Sequence, residues 1–308
     1  MSGTHSQTVG RGWLVNAFAT VILFGVWGAF SGVAPRHGFP DTLVYCVWAL
    51  VMVLPALFIL HKTGWRVDRS GPAIAYGLGV GLFCAGGTIF LFYAAARGPA
   101  YLIFPIISVS PVVTIALSFL ILGERTGRLG VLGIVVALLA LPMLTFEPGA
   151  GVMSVGAGWL VPTLIAMSFW GTQSYLTKSA IHHMAAESIF FYMMLAALML
   201  VPVAYAMTDF SRPINWHGDG PWLAAGIQLL NAIGSLILVF AYRYGKAIII
   251  SSLVNVGAPL VTALISIAVL GAVPPPLKLL GMVLALVASL LLAIEPDTVD
   301  ETPLPDRT

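Results

Sequence analysis

PVVTIALSFLILGERTGRLGVLGIVVAL, residues 111–138, and PLVTALISIAVLGAVPPPLKLLGMVLAL, residues 259–286, are one pattern written twice. Pro111 to Thr114 answers Pro259 to Thr262. Leu122-Gly123 answers Leu270-Gly271, and Gly133 falls over Gly281. Working outward, Trp27-Gly28 matches Trp170-Gly171, and Asp41-Thr42 matches Glu187-Ser188. Gly98-Pro99-Ala100 matches Gly245-Lys246-Ala247. The offset drifts only from 143 to 148 along the chain. Chance matches are common in Leu/Ala/Gly-rich sequence, but chance does not hold one register through Trp-Gly, Pro-x-x-Thr and Leu-Gly together.

The solvent for this repeat is a bilayer. Of 308 residues, 59% are hydrophobic and only 8% charged, with mean hydropathy +0.99. A soluble domain carries about 25% charged residues, so this composition excludes a soluble enzyme, a nucleic-acid binder and a disordered chain. Net charge is +2, which points to no polyanionic partner. The two cysteines, Cys46 and Cys84, sit in apolar runs and suggest no disulfide framework.

A spanning helix needs roughly 17–25 mainly apolar residues. The stretches between charges are Gly12–Pro35, Thr42–Leu60, Ser70–Ala96, Gly98–Gly123 and Leu129–Phe146, then Pro148–Thr177, Ser188–Thr208, Gly220–Tyr242, Ala247–Leu277 and Leu279–Ile294. They predict an all-α membrane protein of ten transmembrane helices. One five-helix repeat covers 13–146 and another 157–294, with polar tails at 1–12 and 295–308. An odd number of helices per repeat turns the second copy upside down, so the prediction is two inverted repeats around a central cavity. Such repeats are the architecture of alternating-access carriers. With the N-terminus inside, ten basic residues face inward and four outward. That bias predicts both termini in the cytoplasm and a multi-pass protein of the plasma membrane, the bacterial inner membrane.

The chain resembles the drug/metabolite transporter superfamily, EamA type, on Pro111, Leu122-Gly123-Glu124 and Gly133 in one half and Pro259, Leu270-Gly271 and Gly281 in the other. The likeness covers residues 13–294. Ala272 stands where the second copy of the motif has its glutamate. The resemblance implies a cavity open to alternate sides and transport of small metabolites; it does not fix the substrate.

Uncharged polar groups in a membrane helix face a partner or an aqueous cavity. At about 100° per residue, Asn16, Thr20, Trp27 and Ser31 share one face of the first stretch. Thr163, Trp170, Ser174 and Thr177 share a face of the sixth. Gln228, Asn231, Ser235 and Tyr242 do so in the eighth, and Ser252, Asn255, Pro259, Thr262 and Ser266 in the ninth. The fourth stretch carries a weaker stripe of Ser108, Pro111 and Ser118, while the fifth and tenth carry small residues suited to packing. The substrate-binding candidates are therefore Trp27, Ser31, Tyr93, Ser108, Trp170, Gln173, Gln228, Asn231, Ser235 and Asn255. The competing reading of each is interhelical glue. Asp41 and Glu187 either cap the helices they begin or act as gates. Arg97 and Arg243 stand at the cavity ends as further gating candidates, and Pro111 and Pro259 are hinges or static kinks. Trp13, Trp159 and Trp222 read as interface anchors.

All six histidines lie in tails, loops or helix ends, and no nucleophile–base pair sits at membrane depth. No enzyme activity, metal, cofactor or nucleic-acid partner is expected. Acids lie only at helix ends, which predicts facilitative or exchange transport, or coupling through an end-located acid such as Glu124 or Glu187. A dianionic phosphate ester would want a central basic pair. Neutral, zwitterionic or aromatic solutes such as amino acids fit better, exported or exchanged. The alternatives are a non-transporting scaffold or regulatory subunit, or a lipophilic drug exporter of the same fold. Beyond the solute and the lipid bilayer no partner is implied, and monomer and homodimer stay open.

Overall fold

The computed structural model describes residues 12–95, 97, 103, 106–145, 157–270 and 275–294. The polar tails, Gly98–Ala100, Pro105 and Gly271–Ala272 lie outside them. Among the described residues every regular element is helical. In chain order these are α1 (Gly12–Phe30), α2 (Asp41–Lys62), α3 (Gly71–Ala95), α4 (Ile106–Leu122), α5 (Arg128–Thr145), α6 (Leu160–Ala180), α7 (Ala186–Ala206), α8 (Gly218–Tyr244), α9 (Ala247–Leu270) and α10 (Pro276–Ile294). Among the described residues six helices are long and apolar enough to cross a membrane: α1 with its short extension to Arg36, α2, α3, α7, α8 and α9. Helices α4, α5 and α10 are apolar but shorter. Helix α6 spans 21 residues and carries Thr163, Gln173, Ser174 and Thr177 along its length.

The two halves interleave. Trp13, at the start of α1, lies where a Cβ on Gly245 would strike its ring, and the Lys178 ammonium at the end of α6 donates to the Gly245 carbonyl. The start of α1 and the end of α6 thus meet at one end of the bundle, and the two helices run in opposite directions. We call this the Trp13 end. Glycine allows the closest crossings. Gly28 of α1 abuts Thr262 of α9, and its counterpart Gly171 of α6 abuts Val113 and the Ser110 carbonyl of α4. A side chain at either position would overlap its neighbour. The repeated threonine completes each crossing: Thr262 donates to the Gly25 carbonyl and Thr114 to the Gly171 carbonyl, both at 2.9 Å. Helices α5 and α10 cross each other through Gly133 against Leu292 and Gly281 against Met143. Their outer faces expose Leu132, Leu139, Val283 and Leu290, the apolar surface a bilayer requires.

Three local expectations change. Asp41 and Glu187 do not cap their helices, because the cap positions are Pro40 and Ala185 and both acids lie inside the first turn. The start of α7 is served instead by Asp68, whose Oδ2 accepts from the Ala185 amide (2.8 Å) and the Ser188 hydroxyl (3.3 Å). Trp13 is buried rather than an interface anchor, because the chain turns over it at Gly245; Trp222 is well exposed. The two repeated prolines differ locally: Pro111 opens a new helical segment after a turn at Val109-Ser110, whereas Pro259 lies inside unbroken α9.

Candidate functional site

At mid-depth α8 meets α1 and α2, and the contacts are between indoles and carboxamides. Trp27 Nε1 donates to Gln228 Oε1 at 3.1 Å, and Trp48 Nε1 donates to Asn231 Oδ1 at 2.8 Å. Gln228 and Asn231 are three residues apart on α8, hence neighbours on one face. An indole nitrogen only donates, so each amide must turn its oxygen to the ring and leave its NH2 elsewhere. Tyr45 stands 5.4 Å from the Trp48 ring and 6.4 Å from Phe92, with its hydroxyl tied to the Ala197 carbonyl. Phe24 flanks Trp27 at 6.4 Å. The result is an aromatic wall with amides set into it. Trp27 and Asn231 are half-buried, and Gln228 is 5% exposed.

Trp170 repeats the role of Trp27 in the other half. Its Nε1 donates to the Cys84 carbonyl of α3 at 3.1 Å, so each repeated tryptophan reaches the third helix of the opposite repeat. On α6, however, the hydroxyls turn inward on their own helix. Thr163, Ser174 and Thr177 donate to carbonyls four residues earlier, at 2.7, 3.2 and 2.8 Å. Thr163 and Thr177 therefore spend their polarity locally, while Ser174 also engages the Tyr242 hydroxyl of α8. Gln173, on the same helix, is half-buried. Ser31 bonds the Gly28 carbonyl and Asn255 Nδ2 the Ser251 carbonyl, again within their own helices. Ser235 is buried and Ser108 half-buried. Tyr93 is 42% exposed, with the Arg97 guanidinium 3.4 Å over its ring, at the end of α3 away from Trp13. Asp41 is exposed, and Glu187 and Arg243 are half-buried at the helix ends.

The Trp13 end holds the strongest electrostatics. Glu124 is only 4% exposed. Its Oε1 and Oε2 accept from the amides of Ala247 (3.0 Å) and Ile248 (3.2 Å), the free donors at the start of α9. Gly123, at φ +68°, supplies the left-handed step that turns the chain out of α4 and aims this carboxylate. Lys178 donates to the carbonyls of Tyr242 (3.3 Å) and Gly245 (2.9 Å) at the end of α8, where the helix dipole favours a cation. Lys246 donates to the Arg125 carbonyl. Beneath these ties Ser251 meets Thr114 at 3.2 Å. The end-located acid is thus a buried helix cap joining the two repeats.

Residues that sequence reading missed are Trp48, Tyr45, Phe92 and the cap Asp68. Trp48 has no counterpart in the second half, so repeat matching passed it over. Two hollows open on the outside of the bundle. One lies among Val161, Leu164 and Phe169; the other, about 280 Å³, among Phe119, Arg125, Val131 and Val135 beside Glu124. Neither is central. Among the described residues no group of three or more His, Cys, Asp or Glu is placed to hold a metal.

Comparison with known proteins bears on the fold and the family. No functionally curated protein matches the chain. One solved structure, described only as "Crystal structure of protein", superposes with a TM-score of 0.76. It covers 91% of this chain and 98% of its own at 16% identity, a likeness of fold alone. The EamA-like transporter family matches twice, over residues 11–146 and 157–294. Those spans take in both copies of the repeat and nearly all of the bundle: the chain is a multi-pass membrane protein of the EamA-like transporter family.

Proposed function

We propose that this protein is an alternating-access carrier of small organic solutes, built as ten membrane passes in two inverted repeats, and that it binds its solute beside Trp27, Trp48, Gln228 and Asn231. One observation carries the reading: an aromatic and amide cluster lies at mid-depth where helices of both repeats meet, with Trp27 and Asn231 half-buried, Trp48 and Gln228 buried, and no charge among its partners. A bilayer-facing seam has no use for such groups. The chemistry suits neutral, zwitterionic or aromatic solutes, amino acids first, moved by export or exchange. Both termini lie on the cytoplasmic side by the balance of basic residues. Glu124 acts as a cap at one gate, so the carrier works by facilitated or exchange transport. Arg97 and Arg243 sit at opposite mouths, and Pro111 marks where α4 bends.

The competing reading is a non-transporting scaffold, favoured by the self-bonded hydroxyls of α6. Uptake of radiolabelled amino acids into proteoliposomes, with and without a pH gradient, separates the two. Carrier function gives saturable flux that counter-solute accelerates and the gradient leaves unchanged. No flux above empty liposomes for any amino acid or amphipathic amine favours the scaffold. Strict gradient dependence, lost in Glu124→Gln or Glu187→Gln, would replace exchange by proton coupling.

A further inference from the structure

The indole bonds at mid-depth leave a chemical remainder. With both carboxamide oxygens committed to Trp27 and Trp48, Gln228 and Asn231 each present an NH2 group. Among the described residues neither NH2 has a hydrogen-bond partner, and neither is sealed from solvent. Yet Gln228 is almost wholly buried and Asn231 half-buried. Amide donors so placed call for acceptors. Their spacing of one helical step, roughly 5–6 Å between Cβ atoms, is one that two oxygens of a single group can bridge. None of the four side chains bonds to a charged group among the described residues. The donors are therefore neutral, which suits one negative charge better than two. The half-buried ring of Trp27 offers an apolar and π-rich surface for the rest of the molecule, including a cationic group, while the buried rings of Trp48 and Tyr45 pack beside the amides.

We infer that Gln228 and Asn231 are the specificity-determining pair of the solute site: their NH2 groups receive the carboxylate of a monocarboxylate or zwitterion, while Trp27 and Trp48 hold the amides in that orientation. This rests on the solute site proposed above and names the functional group it selects.

The test compares L-phenylalanine with phenethylamine, which keeps the ring and ammonium and lacks the carboxylate. Binding to the purified protein is followed by tryptophan fluorescence and by thermal shift. The wild type should bind L-phenylalanine at least about tenfold more tightly, the worth of one charge-assisted hydrogen bond. Gln228→Glu and Asn231→Asp keep an oxygen for each indole and replace the NH2 donor by an acceptor oxygen that also brings negative charge. Each should lose about tenfold or more for L-phenylalanine and keep or gain affinity for phenethylamine. If the amides were only glue, these changes would move both ligands together. Equal binding of the two ligands by the wild type, a comparison that needs no variant, overturns the inference. So does wild-type discrimination in a folded Asn231→Asp or Gln228→Glu protein. Flux of uncharged solutes that survives either result leaves the carrier reading standing; absence of any flux removes that reading instead.

Discussion

The two ends of the bundle share a plan but not a chemistry. At the Trp13 end, buried or half-buried charged side chains tie helices together: Glu124 at the start of α9 and Lys246 at the Arg125 carbonyl join the two repeats, and Lys178 of α6 holds the end of α8 within the second repeat. At the other end the arginines bond within their own elements. Arg36 donates to the Gly32 carbonyl and Arg97 to the Tyr93 carbonyl, while Arg212 pairs with nearby Asp209 at 3.3 Å. Ties that do cross there are exposed: Asn215 reaches the carbonyls of His37 and Gly38, and the His37 imidazole lies 3.5 Å from the Asp219 carboxylate. The repeat register explains the contrast. The counterparts of Glu124, Lys246 and Lys178 are Ala272, Pro99 and Pro35, three charges replaced by none. The inverted copies therefore give equivalent scaffolds, while the latch was written into one end only.

Breaking the latch should have the largest effect. Glu124→Ala strands the Ala247 and Ile248 amides in a buried site, at about 1–3 kcal/mol for each unpaired group. We expect a clear fall in melting temperature and faster maleimide reaction of a Ser252→Cys probe, a residue fully buried in the latched form. Unchanged reactivity would mean that the end is sealed by packing alone. Glu124→Gln, which keeps one acceptor oxygen, should fall between. Lys178→Met comes next. It removes a cation from the end of α8, an effect of about 0.3–2 kcal/mol, and should raise Ser252→Cys reactivity less than Glu124→Ala does. Solute flux through Ala272→Glu sharpens the comparison: restoring the acid that the second copy of the motif lacks should slow turnover relative to the wild type. Asp68→Ala removes a cap of α7 outside the core and should cost about 0.5–2 kcal/mol in thermal stability with solute affinity unchanged. Smallest is Arg97→Ala. An exposed cation over Tyr93 is worth about 0.5–1 kcal/mol, and its loss should leave the Ser252→Cys probe unaffected.

The repeat was legible because glycine, proline, tryptophan and threonine each do a fixed job at a helix crossing. Gly28 and Gly171 make room, Thr262 and Thr114 bond across, and Trp27 and Trp170 reach the third helix of the other half. Helix periodicity likewise brought Gln228 and Asn231 to one face. Long-range choices were not legible. Asp68 caps a helix more than a hundred residues away, so nothing near Glu187 announces it. The burial of Glu124 depends on Ala247, which the sequence separates from it by four helices. Hydroxyls looked alike in every stripe, yet those of α6 are satisfied within their helix, and only coordinates separate that from a cavity lining.

The most direct measurement is the labelling of Asn231→Cys with a membrane-impermeant maleimide in proteoliposomes, in a background without Cys46 and Cys84. A wet solute site between two inverted repeats predicts reaction from one side of the membrane and protection by bound solute. A thiol that stays unreactive from both sides, in a protein that is folded, would contradict it.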